Sequence, residues 1–249
     1  MPDVESCLGE CLTRQLRRQS LWLKDSYVWV LKTKVIKERS GVSALDVGCG
    51  PGFVMEALKG QFTIAGVDID DDMVRACRSR GLDVQKGSAY RLPYREGAFD
   101  VVYCTFLLLW LNEPSRALEE MARVSRSHVL CLAEPDLGAR IDHPESLAEL
   151  GRLLVEGMRA QGGDPFIGRK LRELCERCGL VVEVGAHPGV WDLRRLRQEY
   201  DDEWRYVEST ASTASKDELR RLRHAWRGAL SKGSLFQYNP IFYALGRKR

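Results

Sequence analysis

The chain has 249 residues, 38 of them basic and 35 acidic for a net charge of +3, and 44% are hydrophobic. That balance belongs to folded globular proteins, excludes disordered and collagen-like chains, and leaves enough length for a sizeable core. A charge so close to neutral does not suggest dedicated nucleic-acid binding. The longest apolar stretch, Val101 to Leu111 with Thr105 inside it, is eleven residues, against roughly 20 for a membrane-crossing helix. The opening MPDVESCLGE lacks a basic segment followed by an apolar one. We therefore expect no membrane association, a cytoplasmic setting, and eight cysteines that are mostly reduced.

Residues 6–39 carry an apolar stripe of helical spacing, with Leu8, Leu12 and Leu16 followed by Trp22, Leu23 and Tyr27. Short β-like runs then alternate with helical ones. Strands are predicted at Val42–Val47, Phe62–Val67, Leu82–Gln85, Asp100–Cys104, Val129–Ala133 and Leu180–Val184. Helices are predicted at Phe53–Lys59, Asp71–Arg80, Pro114–Ser125, 144–160 and 168–178. Two charged helices, 192–208 and 215–230, precede a final strand at Ile241–Gly246. The alternation predicts an α/β fold, a mainly parallel sheet with helices on both faces.

The most informative segment is Ala44–Phe53, ALDVGCGPGF. A buried strand ends in Asp46 and Val47, and Gly48, Gly50 and Gly52 follow at alternate positions before a helix. Glycine permits positive φ and close backbone approach to a ligand, and a helix N-terminus favours an anionic group. A second strand ends at Asp68, where a carboxylate can accept from ribose hydroxyls. The dinucleotide spacing G-x-G-x-x-G fails, because Phe53 stands where its third glycine belongs. An Asp ahead of G-x-G-x-G suits a ligand with an amino-acid end, such as S-adenosylmethionine.

These residues resemble the class I S-adenosylmethionine-dependent methyltransferases, in particular their small-molecule, UbiE-like branch. Gly66-Val67-Asp68-Ile69 with Met73 resembles the family's second motif. Gly87-Ser88-Ala89, Leu92-Pro93-Tyr94 and Phe99-Asp100-Val101-Val102 resemble its G-D-A…L-P-F…F-D-x-V run. Ser88 departs from the family's usual adenine-binding Asp, and Trp110 stands where many small-molecule members have His. The resemblance covers residues 40–186 and the final strand. It implies a doubly wound, Rossmann-like, seven-stranded and mostly parallel sheet whose last strand is antiparallel, beside 180–184. It implies S-adenosylmethionine as cofactor, contacted by Asp46, Gly48, Cys49, Gly50 and Gly52, by Asp68, Ile69 and Met73, by Ser88 and Ala89, and by Cys104 and Thr105.

No dedicated catalytic residue is required, because the cofactor supplies the electrophile. Glu134 and Asp136, just past the fifth long strand, are candidates for a base or for orienting an acceptor; the alternative is that they cap a helix or pair with Arg140. Tyr27, Trp110 and Arg140 are candidate acceptor-pocket residues, and Trp22 and Trp29 candidate parts of a lid. Cys104 is either a pocket residue or a small buried hydrophobe. Cys175 and Cys178 have C-x-x-C spacing, and Cys7 and Cys11 lie four apart. Inside an amphipathic helix the former pair faces the core, so no metal is expected. Between Asp192 and Lys232 ten basic residues face eight acidic ones, which suggests a solvated, ion-paired helix pair. Its apolar face (Leu193, Leu196, Tyr200, Trp204, Val207) is expected to cover the site.

The expected organisation is a single methyltransferase domain: a helical cap at 1–40, a cofactor-binding core at 41–186 plus 240–249, and a helical insertion at 187–239. The expected function is methyl transfer to O, N or C of a small or medium organic acceptor. The alternatives are a tRNA or rRNA methyltransferase and a non-catalytic S-adenosylmethionine-binding regulator.

Overall fold

The computed structural model describes residues 10–36, 41–60 and 62–248. Its centre is a seven-stranded sheet: β1 (Ser43–Val47), β2 (Thr63–Asp68), β3 (Val84–Lys86), β4 (Phe99–Thr105), β5 (Ser125–Pro135), β7 (Val181–Ala186) and β9 (Ile241–Arg247). The spatial order is β3-β2-β1-β4-β5-β9-β7. Strands β1 to β5 pair in parallel, and β9 runs antiparallel to both β5 and β7. The final strand thus lies beside 180–184 as expected, wedged between it and β5. The chain winds outward from β1 to β3 and returns to β4. The strand order therefore reverses between β1 and β4, and open α/β sheets bind ligands at the carboxyl edge of such a reversal. At that edge Asp46 is in register with Gly66 on one side and Tyr103 on the other.

β1 is buried along Ala44–Val47 because helices cover both sheet faces. On one face Leu23, Tyr27 and Val30 of α1 (Glu10–Val30), with Leu31 just after it, pack against Ala44, Val101 and Tyr103. On the other, α4 (Pro114–Val124) and α6 (Ile167–Arg177) bury Leu118, Met121, Leu171 and Leu174. α2 (Phe53–Ala57) and α3 (Asp71–Ser79) follow β1 and β2. Asp70 caps α3, its side chain accepting from the Asp72 and Met73 amides.

Several elements differ from expectation. α1 ends in a π-helical turn at Leu31–Ile36; residues 6–9 and 37–39 of the predicted helix lie outside the described residues, as does Cys7. α2 stops at Ala57, where Leu58 leaves the helix. The predicted helix 144–160 is a short turn at Glu145–Leu147 and then α5 (Leu150–Ala160). The predicted helix 192–208 breaks at Glu199 into α7 (Leu193–Gln198) and α8 (Tyr200–Thr210). α9 (Lys216–Lys232) starts at a capping box, Ser215 with Glu218, and ends at Gly233 in the left-handed region. A second, two-stranded sheet pairs β6 (Ile141–His143) with β8 (Phe236–Tyr238) and ties the insertion to the segment after β5. Three-residue strands are too short to announce themselves by periodicity.

Candidate functional site

The glycine loop leaves β1 through three positive-φ residues, Gly48, Gly50 and Gly52. Gly48 is fixed by space as well as by φ. A Cβ there would sit 2.6 Å from the Leu107 side chain. At Gly50 a Cβ would meet nothing within 4 Å, so the loop leaves open room there. The Gly48 and Cys49 amides donate to the Val67 carbonyl, which locks the loop to β2. Asp68 then gathers two amides, from Gly50 at 2.7 Å and Asp70 at 3.0 Å. With α2 only five residues long, these oriented amides, more than a helix dipole, give the loop its polarity.

Asp46 behaves differently. It is fully buried, and neither carboxylate oxygen has a hydrogen-bond partner. Burial pushes its carboxyl well above the usual range; the Tyr103 hydroxyl beside it lowers it again, yet closes no hydrogen bond of normal geometry. An uncompensated buried carboxyl beside a ligand-binding loop is costly to the free protein. Tyr27 lies in the same buried layer, its hydroxyl also unpartnered and held in the protonated form by burial and by Asp46 and Glu134.

β4 ends in Phe106, the sole non-glycine residue with positive φ among those described, at 50°. Backbone strain of this kind clusters at ligand sites. Glu134 holds the turn that follows: one oxygen accepts from the Leu107 amide at 3.0 Å and the Leu108 amide at 2.9 Å. Its other oxygen has no partner, and burial pushes the carboxyl up to about 8. Glu134 is thus built into the scaffold as an anchor for this turn. Asp136, the other acid singled out in the sequence, does not pair with Arg140. It caps the turn at Leu137–Ala139 and takes Arg169 in a two-point ion pair, at 2.5 and 2.7 Å. Arg140 instead pairs with Asp142 at 2.7 and 2.9 Å and with Asn239 at 2.7 Å.

Beside this edge lies a cavity of about 460 Å³ with mostly apolar walls. Phe106, Leu109 and Trp110 form the side next to the glycine loop, and Pro135, Leu137 and Arg140 the β5 side. α1 contributes Gln15, Arg18 and Trp22; α5 contributes Met158, and Gln161 just past it; α8 contributes Glu203, Tyr206 and Thr210. Trp191 stacks on Trp22, ring centroids 4.0 Å apart. Of the three acceptor-pocket residues read from sequence, Trp110 and Arg140 line this cavity and Tyr27 does not. Trp22 lines it, while Trp29 is 53% exposed on the outer side of α1. The apolar face of the insertion does not cover the site: Leu196, Trp204 and Val207 are buried in the main core. The adjoining side of α8, with Glu203, Tyr206 and Thr210, faces the cavity.

Cys104 is fully buried in the core with Cys131 and Cys175. Cys49 and Cys77 share the Gly50 carbonyl, at 3.7 and 3.2 Å. Ile69 is 69% exposed at the end of β2, and Ser88, Ala89 and Thr105 are half-buried. Sequence reasoning missed Arg18, Trp191, Glu203 and Tyr206. Gln15, Arg18, Gln19 and Trp22 do share one helical face by their spacing, a signal masked by the leucine stripe beside it.

Residues 45–133, from β1 to β5, match the family model described as a methyltransferase domain. That stretch is similar to methyltransferase domains. It is 30% identical over 130 residues to a demethylmenaquinone methyltransferase from Shouchella clausii, across 47% of this chain and 53% of that one. It is 29% identical over 194 residues to an uncharacterised 37.1 kDa protein of transposon TN4556 from Streptomyces fradiae, across 73% and 53%. The chain thus spans about half the length of these relatives. Its fold superposes on the Haemonchus contortus phosphoethanolamine N-methyltransferase 2 solved with S-adenosyl-L-methionine, with TM-score 0.57 and 16% identity over 90% of this chain and 52% of that one. The methyltransferase fold sets the seven-stranded order and the antiparallel last strand. Among the described residues no helix is long and apolar enough to cross a membrane.

Proposed function

We propose that the chain binds S-adenosylmethionine at the carboxyl edge of β1 and β2 and methylates O, N or C of a small or medium organic acceptor in the adjoining cavity. The carrying observation is adjacency. Leu107, against which Gly48 packs, sits between cavity residues Phe106 and Leu109.

The residues present suit that cofactor. Asp46 offers a buried, unpartnered carboxylate to an ammonium group. Asp68 offers two oxygens to ribose hydroxyls, and Gly50 leaves space that a side chain would fill. Cys49, Gly52, Ile69, Met73, Ser88, Ala89 and Thr105 are the other residues assigned to cofactor contact. When bound, S-adenosylmethionine supplies an electrophilic methyl group on a sulfonium. The protein's own share is positioning and exclusion of water. Glu134 fixes the turn from Phe106 to Leu109, and the apolar walls keep the acceptor dry. A base is needed only for an acceptor protonated at working pH. Neither Glu134 nor Asp136 lines the cavity, and Asp136 already holds Arg169.

A cavity of this size matches small-molecule sites, and the demethylmenaquinone relative supports the same class. No observation favours RNA or a non-catalytic regulator. The 1–40 cap and the 187–239 insertion are assigned to walling the acceptor, within one domain. The six described cysteines, all unpaired, fit a cytoplasmic setting.

Titration calorimetry with S-adenosylmethionine tests the first half of the proposal, and labelled-methyl transfer to metabolite, RNA and protein fractions the second. Absence of cofactor binding, or label confined to RNA, would overturn it.

A further inference from the structure

We infer that Cys49 and Cys77 are a modification site, a thiol pair that a peroxide oxidises to a disulfide, and that this bond distorts the glycine loop and releases the cofactor. The consequence for the cofactor rests on the function proposed above. Cys49 stands in the glycine loop and Cys77 near the end of α3. Both thiols donate to one acceptor, the Gly50 carbonyl, at 3.7 and 3.2 Å. They also contact each other through a hydrogen bond. With Met55, Val74 and Val84 they form a small buried cluster separate from the main core. Two glycines clear the space for the sulfurs. A Cβ on Gly66 would lie 2.9 Å from Cys49 Sγ, and one on Gly52 would lie 2.9 Å from Cys77 Sγ. Cys104, Cys131 and Cys175 cluster too, but each is wholly buried in the main core.

A thiol reacts as its thiolate, and a cation beside it favours that form. Arg80 supplies the cation. Its Nε donates to the Ala76 carbonyl at 3.3 Å and its Nη1 to Glu56 at 3.0 Å, while its buried Nη2 has no partner. Nη2 and Cys77 Sγ converge on the Gly52 Cβ position, 3.6 and 2.9 Å from it. Contact with the Cys49 thiol, with Arg80 adding to it, pulls the Cys77 thiol below its ordinary value against burial. Cys49 is 7% exposed, beside the open room at Gly50, whereas Cys77 is wholly covered. A peroxide therefore meets the pair at Cys49. Cys49 passes its proton to the Cys77 sulfur and attacks the peroxide as a thiolate. The O–O bond breaks, hydroxide leaves, and Cys49 becomes a sulfenic acid. The Cys77 sulfur then displaces the sulfenic hydroxyl. One S–S bond forms, and the protons of the two thiols turn the two departing hydroxides into water. Two thiols are oxidised and one hydrogen peroxide is reduced.

The loop yields because positive-φ glycines, Gly48 and Gly50, flank Cys49. Closing the S–S bond draws Cys49 toward α3 and the Gly50 peptide with it. The Gly50 carbonyl loses both S–H donors. The Gly50 amide is also displaced, and that amide holds Asp68 at 2.7 Å. Asp68 is the carboxylate assigned to the ribose, and Cys49 is itself assigned to cofactor contact. Oxidation thus undoes the cofactor site from within the loop. Linkage makes the effect reciprocal: a bound cofactor opposes the disulfide by the factor by which the disulfide weakens the cofactor.

The test treats the reduced full chain with hydrogen peroxide, blocks the remaining thiols with N-ethylmaleimide and maps the peptides by mass. A cross-linked peptide joining Cys49 to Cys77 is expected, lighter by two hydrogens than the separate peptides and split by dithiothreitol. Calorimetric titration of the oxidised chain with S-adenosylhomocysteine should show binding weakened about tenfold, the worth of one or two hydrogen bonds, and restored by dithiothreitol. In glutathione redox buffers, saturating S-adenosylhomocysteine should raise the reduction potential of the pair by the same factor, about 30 mV. Cys77→Ser keeps a donor for the Gly50 carbonyl, so it should bind S-adenosylhomocysteine normally and keep that affinity after peroxide. Three results would each overturn the inference: both cysteines still alkylated after peroxide, a disulfide that leaves the affinity unchanged, or equal peroxide damage in Cys77→Ser. A reduced chain that binds no S-adenosylhomocysteine defeats the methyltransferase proposal and the loop consequence with it, while peptide mass still decides the disulfide.

Discussion

Asp46 and Asp68 end adjacent parallel strands, yet their surroundings assign them opposite energetics. Asp68 is satisfied by the Gly50 and Asp70 amides, while Asp46 is buried with both oxygens unpartnered. Asp68→Ala should therefore weaken S-adenosylmethionine binding at least about tenfold, the scale of one or two charge-assisted hydrogen bonds, and lower the melting temperature of the free protein by freeing the Gly50 and Asp70 amides. Asp46→Asn should do something different: raise the melting temperature of the free protein by relieving a buried carboxyl, while weakening the cofactor through loss of its charge. Scanning calorimetry and titration calorimetry on both variants check this. An Asp46→Asn protein both less stable and equally avid would contradict the assignment. These two residues were legible in the sequence because the loop that joins them to the glycines is local. The Arg18–Glu203 pair was not, since its members lie 185 positions apart and no spacing links them. Glu134 was legible as a candidate, but its hold on the turn after β4 was not. Nothing in a sequence says that its carboxyl reaches back to the Leu107 and Leu108 amides.

At the level of elements, two helical glycines make the same substitution act with opposite sign. A Cβ on Gly157 of α5 would lie 1.8 Å from the Thr210 carbonyl oxygen at the end of α8. This close approach, reinforced by Gln161 donating to the Ser209 and Thr210 carbonyls, is what docks α8 as a cavity wall. Gly157→Ala forces the two helices apart and should cost about 1–3 kcal/mol, the range for overpacking. Gly228 of α9 has nothing within 4 Å of its would-be Cβ, so Gly228→Ala should stabilise by about 0.5–1 kcal/mol. Chemical denaturation of the two variants gives the comparison, and a shift of the same sign in both would refute the packing argument. The β-α alternation of the core was readable because each strand is a buried apolar run between glycine or proline breaks. The break at Glu199 was not, because Asp192–Val207 keeps an uninterrupted helical pattern. Its apolar face was read as a lid because amphipathicity reports burial without saying what does the burying. Here the core takes Leu196, Trp204 and Val207, and the cavity receives the adjoining side of α8.

For the whole molecule, the sheet that creates the binding edge also sets how stability responds to pH. Most ion pairs lie on the surface and contribute little each, so the buried carboxyls dominate the response. Glu134 has its carboxyl pushed up to about 8 by burial, with the Leu108 and Leu107 amides pulling in the opposite direction. Asp46 is raised as well, by burial first. A folded state that holds a proton the unfolded chain has released loses stability as pH rises. For Glu134 the loss runs from its ordinary value of 4.5 up to about 8 and is complete above that. It amounts to at most about 5 kcal/mol, or on the order of 10 °C in melting temperature for a chain of this size. Glu134→Gln keeps a carbonyl for the two amides and has no proton to release. Its melting temperature should fall less steeply across that interval, the remaining slope belonging to Asp46, and cross above the unmodified chain toward pH 8. Glu134→Ala, which abandons both amides, should be less stable at every pH by about 2 kcal/mol. It should also loosen the turn after Phe106. Melting curves measured in overlapping buffers at constant ionic strength decide the matter. A pH slope that is unchanged in Glu134→Gln would mean that the carboxyl is already ionised in the fold, held by amides alone.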